Sequence, residues 1–556
     1  MNGKTRPAEY EFLPHERPMM PGSPATPDHP TGRRVGYFAI GLLLSMTGGF
    51  INGLLTANLA QIQGALGLTN VEAGWLTAIY TMTNVCMSLL LIKFRQQFGI
   101  QRFTRVMLIG FLVLNLSQLF VHGYGTELIV RAGSGIVASG LSTLALFYIM
   151  QSMPAAARLA GLVIGVGLGQ VALPLARVIS PALLVHGDVQ NLFLFEFGLT
   201  LICLAAVSLL RLPPSERVQA FEPLDFLTFT LIAPGLALLS AVLVQGRIQW
   251  WTTPWLGWAL AGAILLLGAA LIVEHNRANP LLNTRWLGSA AIVRFALIAA
   301  SMRVLLGEQN FGASGLLTVL GMGQDQLVSF YVVVTLASIA GVIVSVLILN
   351  PTDLIRPVVF SCGLIALAAF LDADASNITR PAQLYVTQAL IAFAAVYFMG
   401  PTMMTGILRA LAKGPSHLVS FSAIFGISQQ LGGIGGAALL GSFQTMRERF
   451  HSEMLTQGIV ATDPQVALRL QQLGGSYARV LGDPALRQAE GIALQSQLIT
   501  REANILAFND VFLLVGSLAT FGFVYLLWRW AYYQWKGVNP LATELAALAA
   551  MRNKTA

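Results

Sequence analysis

The chain is 556 residues long, 55% hydrophobic and only 10% charged, against about 25% charged for an ordinary soluble domain. That balance excludes a soluble globular protein. The formal charge of +8 does not point to nucleic acid either, because the basic residues stand singly between apolar runs rather than in an arm or stripe.

Residues 1–35 are rich in Pro, charge and small polar residues and have no apolar core, so they read as a flexible cytoplasmic tail rather than a cleaved signal. From Gly36 onward apolar runs recur, each near the roughly 20 residues that a helix needs to cross a bilayer. They predict spans at about 36–57, 72–92, 103–122, 128–150, 159–185, 191–211, 225–246, 255–273, 290–317, 326–349, 356–371, 382–407, 417–444 and 505–530, fourteen in all. Loop charge supports the count, since basic loops are retained inside. With the N-terminus inside, the inner loops hold Lys93, Arg95, Arg102, Arg105, Arg158, Arg211, Arg217, Arg277, Arg285, Arg356, Arg409 and Lys413, and the short outer loops only Arg247 and Arg380. Both termini are therefore expected in the cytoplasm, with 531–556 as a C-terminal tail.

Between the last two spans, 445–504 is polar and mixed in charge. QVALRLQQLGGSYARVL and DPALRQAEGIALQSQLI within it have helical spacing, so a helical hairpin projecting outward is expected, as a solvated spacer or as a docking surface. Small residues mark close helix packing: Gly161, Gly165 and Gly169 in GLVIGVGLGQ, and Gly432, Gly433, Gly435 and Gly436 in QQLGGIGGA. GVGLG lies mid-span with no strand before it, which excludes a dinucleotide fingerprint. Cys86, Cys203 and Cys362 sit apart in apolar runs and read as inert buried thiols. With no nucleotide loop, metal cluster or nucleophile arrangement, the chain does not read as an enzyme.

Several stretches, taken in order, carry a resemblance. These are RAGSGIVAS with Arg131 and Gly135; LDFLTFTLIAPGLALLSAVLVQGRIQWW with Asp225, Gly246 and Trp251; EHNRANPLL with Glu274, Arg277 and Pro280; ISQQLGGIGGAALLGSFQTMRERFHSEML; and REANILAFNDVFLLVG with Ala507 and Asp510. Together they resemble the EmrB/QacA-type branch of the major facilitator superfamily, fourteen-span proton-coupled drug exporters. The resemblance implies an all-α membrane protein with the major facilitator fold: a six-helix bundle over 36–211, a linker with two extra spans over 212–285, and a second bundle over 286–530. It also implies a bacterial inner membrane, a proton gradient in place of any cofactor, a small-molecule substrate, and a periplasmic adaptor with an outer-membrane channel, the adaptor on the 445–504 loop. The sequence departs from the pattern where the family carries acids: Ile51 stands on the first-span acid, Gln96 on the acid after the second span, and Arg177 on a fifth-span Gly.

An ionised group at mid-bilayer costs about 3 kcal/mol or more, so such residues persist where they serve a function. Arg131 either snorkels to the outer interface or, as the resemblance implies, lines the central cavity and sets when a nearby acid releases its proton. Glu196 and Glu308 are the candidate acids for proton coupling, against the alternative of structural hydrogen bonds. Arg303 and Glu308 stand about 140° apart on a regular helix and do not pair across one face, whereas Arg303 shares a face with Gly307 and Asn310. Arg177, Arg303, Asn310, Gln170, Asn52, Gln429 and Gln430 are the expected substrate-cavity residues. Arginines outnumber acids in this set, which favours an amphipathic, anionic or aromatic cargo. The expected function is proton-driven export of such compounds; an organic-anion importer or facilitator, or a transport-inactive membrane partner, are the alternatives.

Overall fold

The computed structural model describes residues 16, 18, 22–121, 123–154, 157–184, 187–277, 279–460 and 462–547. Most of the expected N-terminal tail and the last residues of the C-terminal one lie outside that set. Thirteen described helices are long and apolar enough to cross a bilayer. A fourteenth, Arg356–Asp372, has 17 residues and packs between the helices Tyr385–Tyr397 and Pro484–Lys536. In lipid a backbone amide finds no water, so each segment closes its own hydrogen bonds as a helix. Proline marks several starts, at Pro223, Pro254, Pro381 and Pro415, where its missing N–H costs nothing.

Spans 1 to 6 are Thr31–Ala57, Asn70–Phe98, Ile100–Gln118, Tyr124–Ser152, Arg158–Leu183 and Gln190–Leu209; they form one bundle around Leu44, Leu141, Tyr148 and Phe103. Spans 9 to 14 are Ala290–Val319, Asp325–Leu347, Arg356–Asp372, Pro381–Leu411, Pro415–Gln457 and Pro484–Lys536, and form the second. At one seam span 5 packs on spans 10 and 12. At the other, span 7 (Pro223–Gln249) contacts both span 2 and span 13, and span 8 (Pro254–Asn276) packs outside it. At the face that carries both chain ends Arg277 locks the extra pair together, reaching Asp225 at 2.9 Å, Glu274 at 2.7 Å and Glu222 at 3.0 Å, and Lys93 of span 2 pairs with Asp225. At the far face Trp251 Nε1 donates to Ser442 Oγ of span 13 at 2.6 Å, and the Arg247 guanidinium lies 5.1 Å from the Phe311 ring centre of span 9.

Two spans are irregular, each for a local reason. Pro401 in span 12 cannot donate to the carbonyl of Tyr397, and Ser345 Oγ of span 10 donates to it instead at 3.3 Å. Span 9 is α-helical to Leu305, π-helical over Glu308–Ala313, and α-helical again from Ser314. The glycines divide by role. Gly161 and Gly165 press on span 4 as expected, but Gly169 has nothing within 4 Å and lines an open cavity.

Two terminal expectations are corrected. Span 1 begins at Thr31, and residues 22–30 are not a loose tail: Ala25 N donates to Pro214 O at 2.8 Å, Gln151 Nε2 to Ala25 O at 2.7 Å and Arg158 Nη2 to Thr26 O at 2.7 Å. These bonds satisfy polar groups left over at the ends of spans 4 to 6. Within 531–556 the last helix runs on to Lys536, and Leu541 packs with Leu354, Met404 and Leu408. The polar loop is a stalk. Span 13 continues unbroken to Gln457, Pro464–Gly475 folds back, and Pro484 starts a 53-residue helix that includes span 14.

Gly135 is the tightest contact in the first bundle. A Cβ there would lie 2.3 Å from the Tyr80 carbonyl oxygen, while Asn84 Nδ2 donates to Gly135 O at 3.0 Å. Gly135→Ala is expected to force spans 2 and 4 apart and destabilise the protein by about 1–3 kcal/mol. A thermal unfolding midpoint unchanged in detergent would contradict this packing.

Candidate functional site

The two bundles enclose a cavity of about 550 Å³, within the usual range for a small-molecule site. It extends to the face that carries the chain ends, where Ser23, Pro24, Arg95 and Gln151 line its mouth. The opposite end is closed by bonds between the bundles. Arg177 Nη1 donates to Tyr331 Oη at 2.5 Å and Ser314 Oγ at 2.9 Å, with its guanidinium 4.9 Å from the Tyr331 ring centre. Gln324 Nε2 donates to Ala57 O at 2.6 Å, and Ser180 Oγ lies 3.4 Å from Gln324 Oε1. The molecule is therefore open on one side and latched on the other.

Arg303, Gln170, Asn310, Asn52 and Gln430 line the cavity; Arg177 does not, and belongs to the latch. That corrects its expected place, because its length carries the charge across the seam to Tyr331. Arg303 Nη1 donates to Gln170 Oε1 at 3.1 Å and Nε to Gln429 O at 3.3 Å, so one guanidinium touches both bundles through neutral partners only. Its stem lies along span 13, where a Cβ on Gly432 would come within 3.0 Å of it. The Gln429 side chain lies outside the cavity lining, and neither of its amide atoms has a partner among the described residues; nor does Asn52 Oδ1.

Arg131 follows neither expected course. It is 1% exposed, inside the first bundle, and lines neither the cavity nor the interface. Its Nε donates to Glu127 Oε1 at 3.0 Å and its Nη1 to the carbonyl of Ile51 at 2.8 Å, so the backbone of the residue that replaces the family's acid accepts the bond. Gln118 Nε2 donates to the other Glu127 oxygen at 2.6 Å. Glu196 and Tyr80 lie within electrostatic range of Arg131, and Tyr80 lines the cavity. Glu127 was readable four residues before Arg131, but a span placed at 128–150 leaves it in the loop.

In the second bundle Glu308 is fully buried and accepts from Gln388 Nε2 at 3.0 and 3.1 Å; the same nitrogen lies 2.8 Å from Asp372 Oδ2. Asp372 and Gln388 were not expected. Asp372 falls one residue beyond the predicted end of its span and passes for a loop acid. Glu308 does not meet Arg303: five residues apart on the helix, one points into the bundle and the other into the cavity. Among the described residues no group of His, Cys, Asp and Glu could hold a metal ion.

Paired bundles around a central cavity that is open to one face and closed at the other are the architecture of a membrane transporter. The sequence profile of the Major Facilitator Superfamily matches residues 38–437, and the chain belongs to this superfamily of transporters. No curated protein matches the sequence. Among solved structures it is similar to the human organic anion transporter MFSD10 (TETRAN), at 14% identity and a TM-score of 0.53, over 88% of this chain and 100% of that one. At that identity the likeness is one of fold.

Removing one partner of a buried ion pair strands the other charge. Glu127→Ala is expected to cost about 3–5 kcal/mol, while the double variant Glu127→Leu with Arg131→Met recovers most of the loss. Equal thermal stability of the single and double variants would show that the pair is not the constraint.

Proposed function

We propose that the protein exports small amphipathic anions across a bacterial inner membrane, with both termini in the cytoplasm, driven by the proton gradient and without a cofactor. The observation that carries the reading is Arg303. A guanidinium in a low-dielectric cavity attracts a carboxylate or sulfonate fork strongly, and here its bonds run to a Gln side chain and a backbone carbonyl with no acid in contact. A bound anion supplies the missing charge, and since Arg303 reaches both bundles, its arrival and departure bear on whether they stay joined. The human protein of like fold bears the name of an organic anion transporter, which agrees with such a cargo.

The proton side of the reading draws on Glu308 in the second bundle and on Glu196 beside Arg131 in the first. Arg131 acts as a fixed charge that biases Glu196 and is itself balanced by Glu127. Efflux in the manner of the EmrB/QacA-type branch, with a periplasmic adaptor and an outer-membrane channel, fits the stalk. Its flank carries exposed Phe450, Met454 and Leu468 away from the lipid-spanning part.

Inside-out vesicles carrying the full chain test this with two probes, a fluorescent amphipathic sulfonate and a lipophilic cationic dye. The sulfonate is expected to accumulate when the interior is acid. Arg303→Gln is expected to weaken it about tenfold to a hundredfold, the value of one charge-assisted contact. Accumulation of the cation alone, or of the sulfonate equally in Arg303→Gln, removes the assignment.

A further inference from the structure

Glu308, Gln388 and Asp372 form a closed polar triad from spans 9, 12 and 11, with exposures of 0%, 0% and 3%. An amide nitrogen has two hydrogens, yet Gln388 Nε2 faces three carboxyl oxygens. The charged groups acting on each acid from the packed spans reduce to the other acid, and none of the described ion pairs includes either one. Two full negative charges bridged by one amide nitrogen would repel by about 3 kcal/mol even at an effective dielectric of about 20. One proton between them turns that repulsion into an O–H···O⁻ hydrogen bond.

A second observation points to the same ligand. Gln388 Oε1 is buried with no partner among the described residues. The amide can therefore serve either protonation state: its NH₂ end donates to carboxylates, and its oxygen, turned through half a rotation, accepts from a carboxyl O–H. The triad also has a direct link to the cavity. Gln309, next to Glu308, lines the cavity and donates through Nε2 to the Gln388 carbonyl at 2.9 Å.

We propose that Glu308 and Asp372 hold one proton between them, with Gln388 as the positioning residue, and that this shared proton is the one exchanged in the transport cycle. The second half of the statement rests on the export reading above. On release one carboxyl O–H bond breaks, its electron pair stays on oxygen, the proton leaves to solvent, and the triad goes from one negative charge to two. The triad lies toward the latched face, since Asp372 ends span 11 and Gln388 follows closely on the start of span 12. The carboxyl pair is thus set apart from Arg303, and anion and proton have separate sites along one helix.

The test is infrared difference spectroscopy of the purified full chain in lipid vesicles, titrated in pH with no substrate. A protonated-carboxyl C=O band that titrates is expected in the wild type. Glu308→Gln and Asp372→Asn should each move its midpoint by about one pH unit or more, Gln388→Leu should move it while keeping the band, and the double variant Glu308→Gln with Asp372→Asn should remove the component that shifts in the single variants, leaving at most the part due to other buried acids such as Glu196. An Asp372→Asn midpoint equal to wild type, or a band unchanged from wild type in the double variant, overturns the proposal. Unfolding midpoints on the same samples separate these outcomes from misfolding. A shared proton in a protein that concentrates no sulfonate under a gradient would sink the export reading alone.

Discussion

The π-helical turn in span 9 is the constraint around which the rest of the molecule is arranged. Inserting one residue's worth of winding rotates everything beyond it by roughly 100° relative to a regular helix. Arg303, before the turn, reaches into the cavity; Glu308, within it, points into the second bundle; Ser314, just after it, meets Arg177 in the latch. In a medium without water each of these groups must find its partner in protein. A single helix therefore joins the cavity, the buried acids and the closed gate, and a small change in its winding reaches all three.

Much of this architecture is legible in the sequence, because membrane spans are written in hydropathy and loop charge. All fourteen apolar segments coincide with described helices, with ends differing by a few residues, except where the last two run on into the stalk. The site is less legible, for two physical reasons. Glu127 and Asp372 sit at the edge of their apolar runs, where a shift of one residue decides between a loop acid and a buried one. Arg177 and Arg303 read alike as arginines in spans, and only the packing of the bundles sends one to the gate and the other to the cavity. The π-turn leaves no trace in periodicity, since apart from Glu308 the residues that form it are apolar or neutral on every side.

The extra helix pair shows how charge can bind two helices into one part. Arg277, at the end of span 8, holds Glu222 and Asp225 at the start of span 7 and Glu274 of its own helix, and Lys93 of span 2 closes on Asp225. Ion pairs that share partners hold better than isolated ones. Toward the bundles the pair makes lighter contacts on both sides, with Lys93 and Val71 of the first and with Ser442 and the Phe311 ring of the second.

The stalk has a mechanical consequence. Its rear helix and the final crossing are one uninterrupted rod of 53 residues, about 80 Å long at 1.5 Å per residue. A tilt of about 10° about its midpoint displaces the tip by roughly 7 Å. Motion too small to widen the cavity much is thereby amplified into a stroke that an external body gripping the tip would feel, and load on the tip is returned to the same domain.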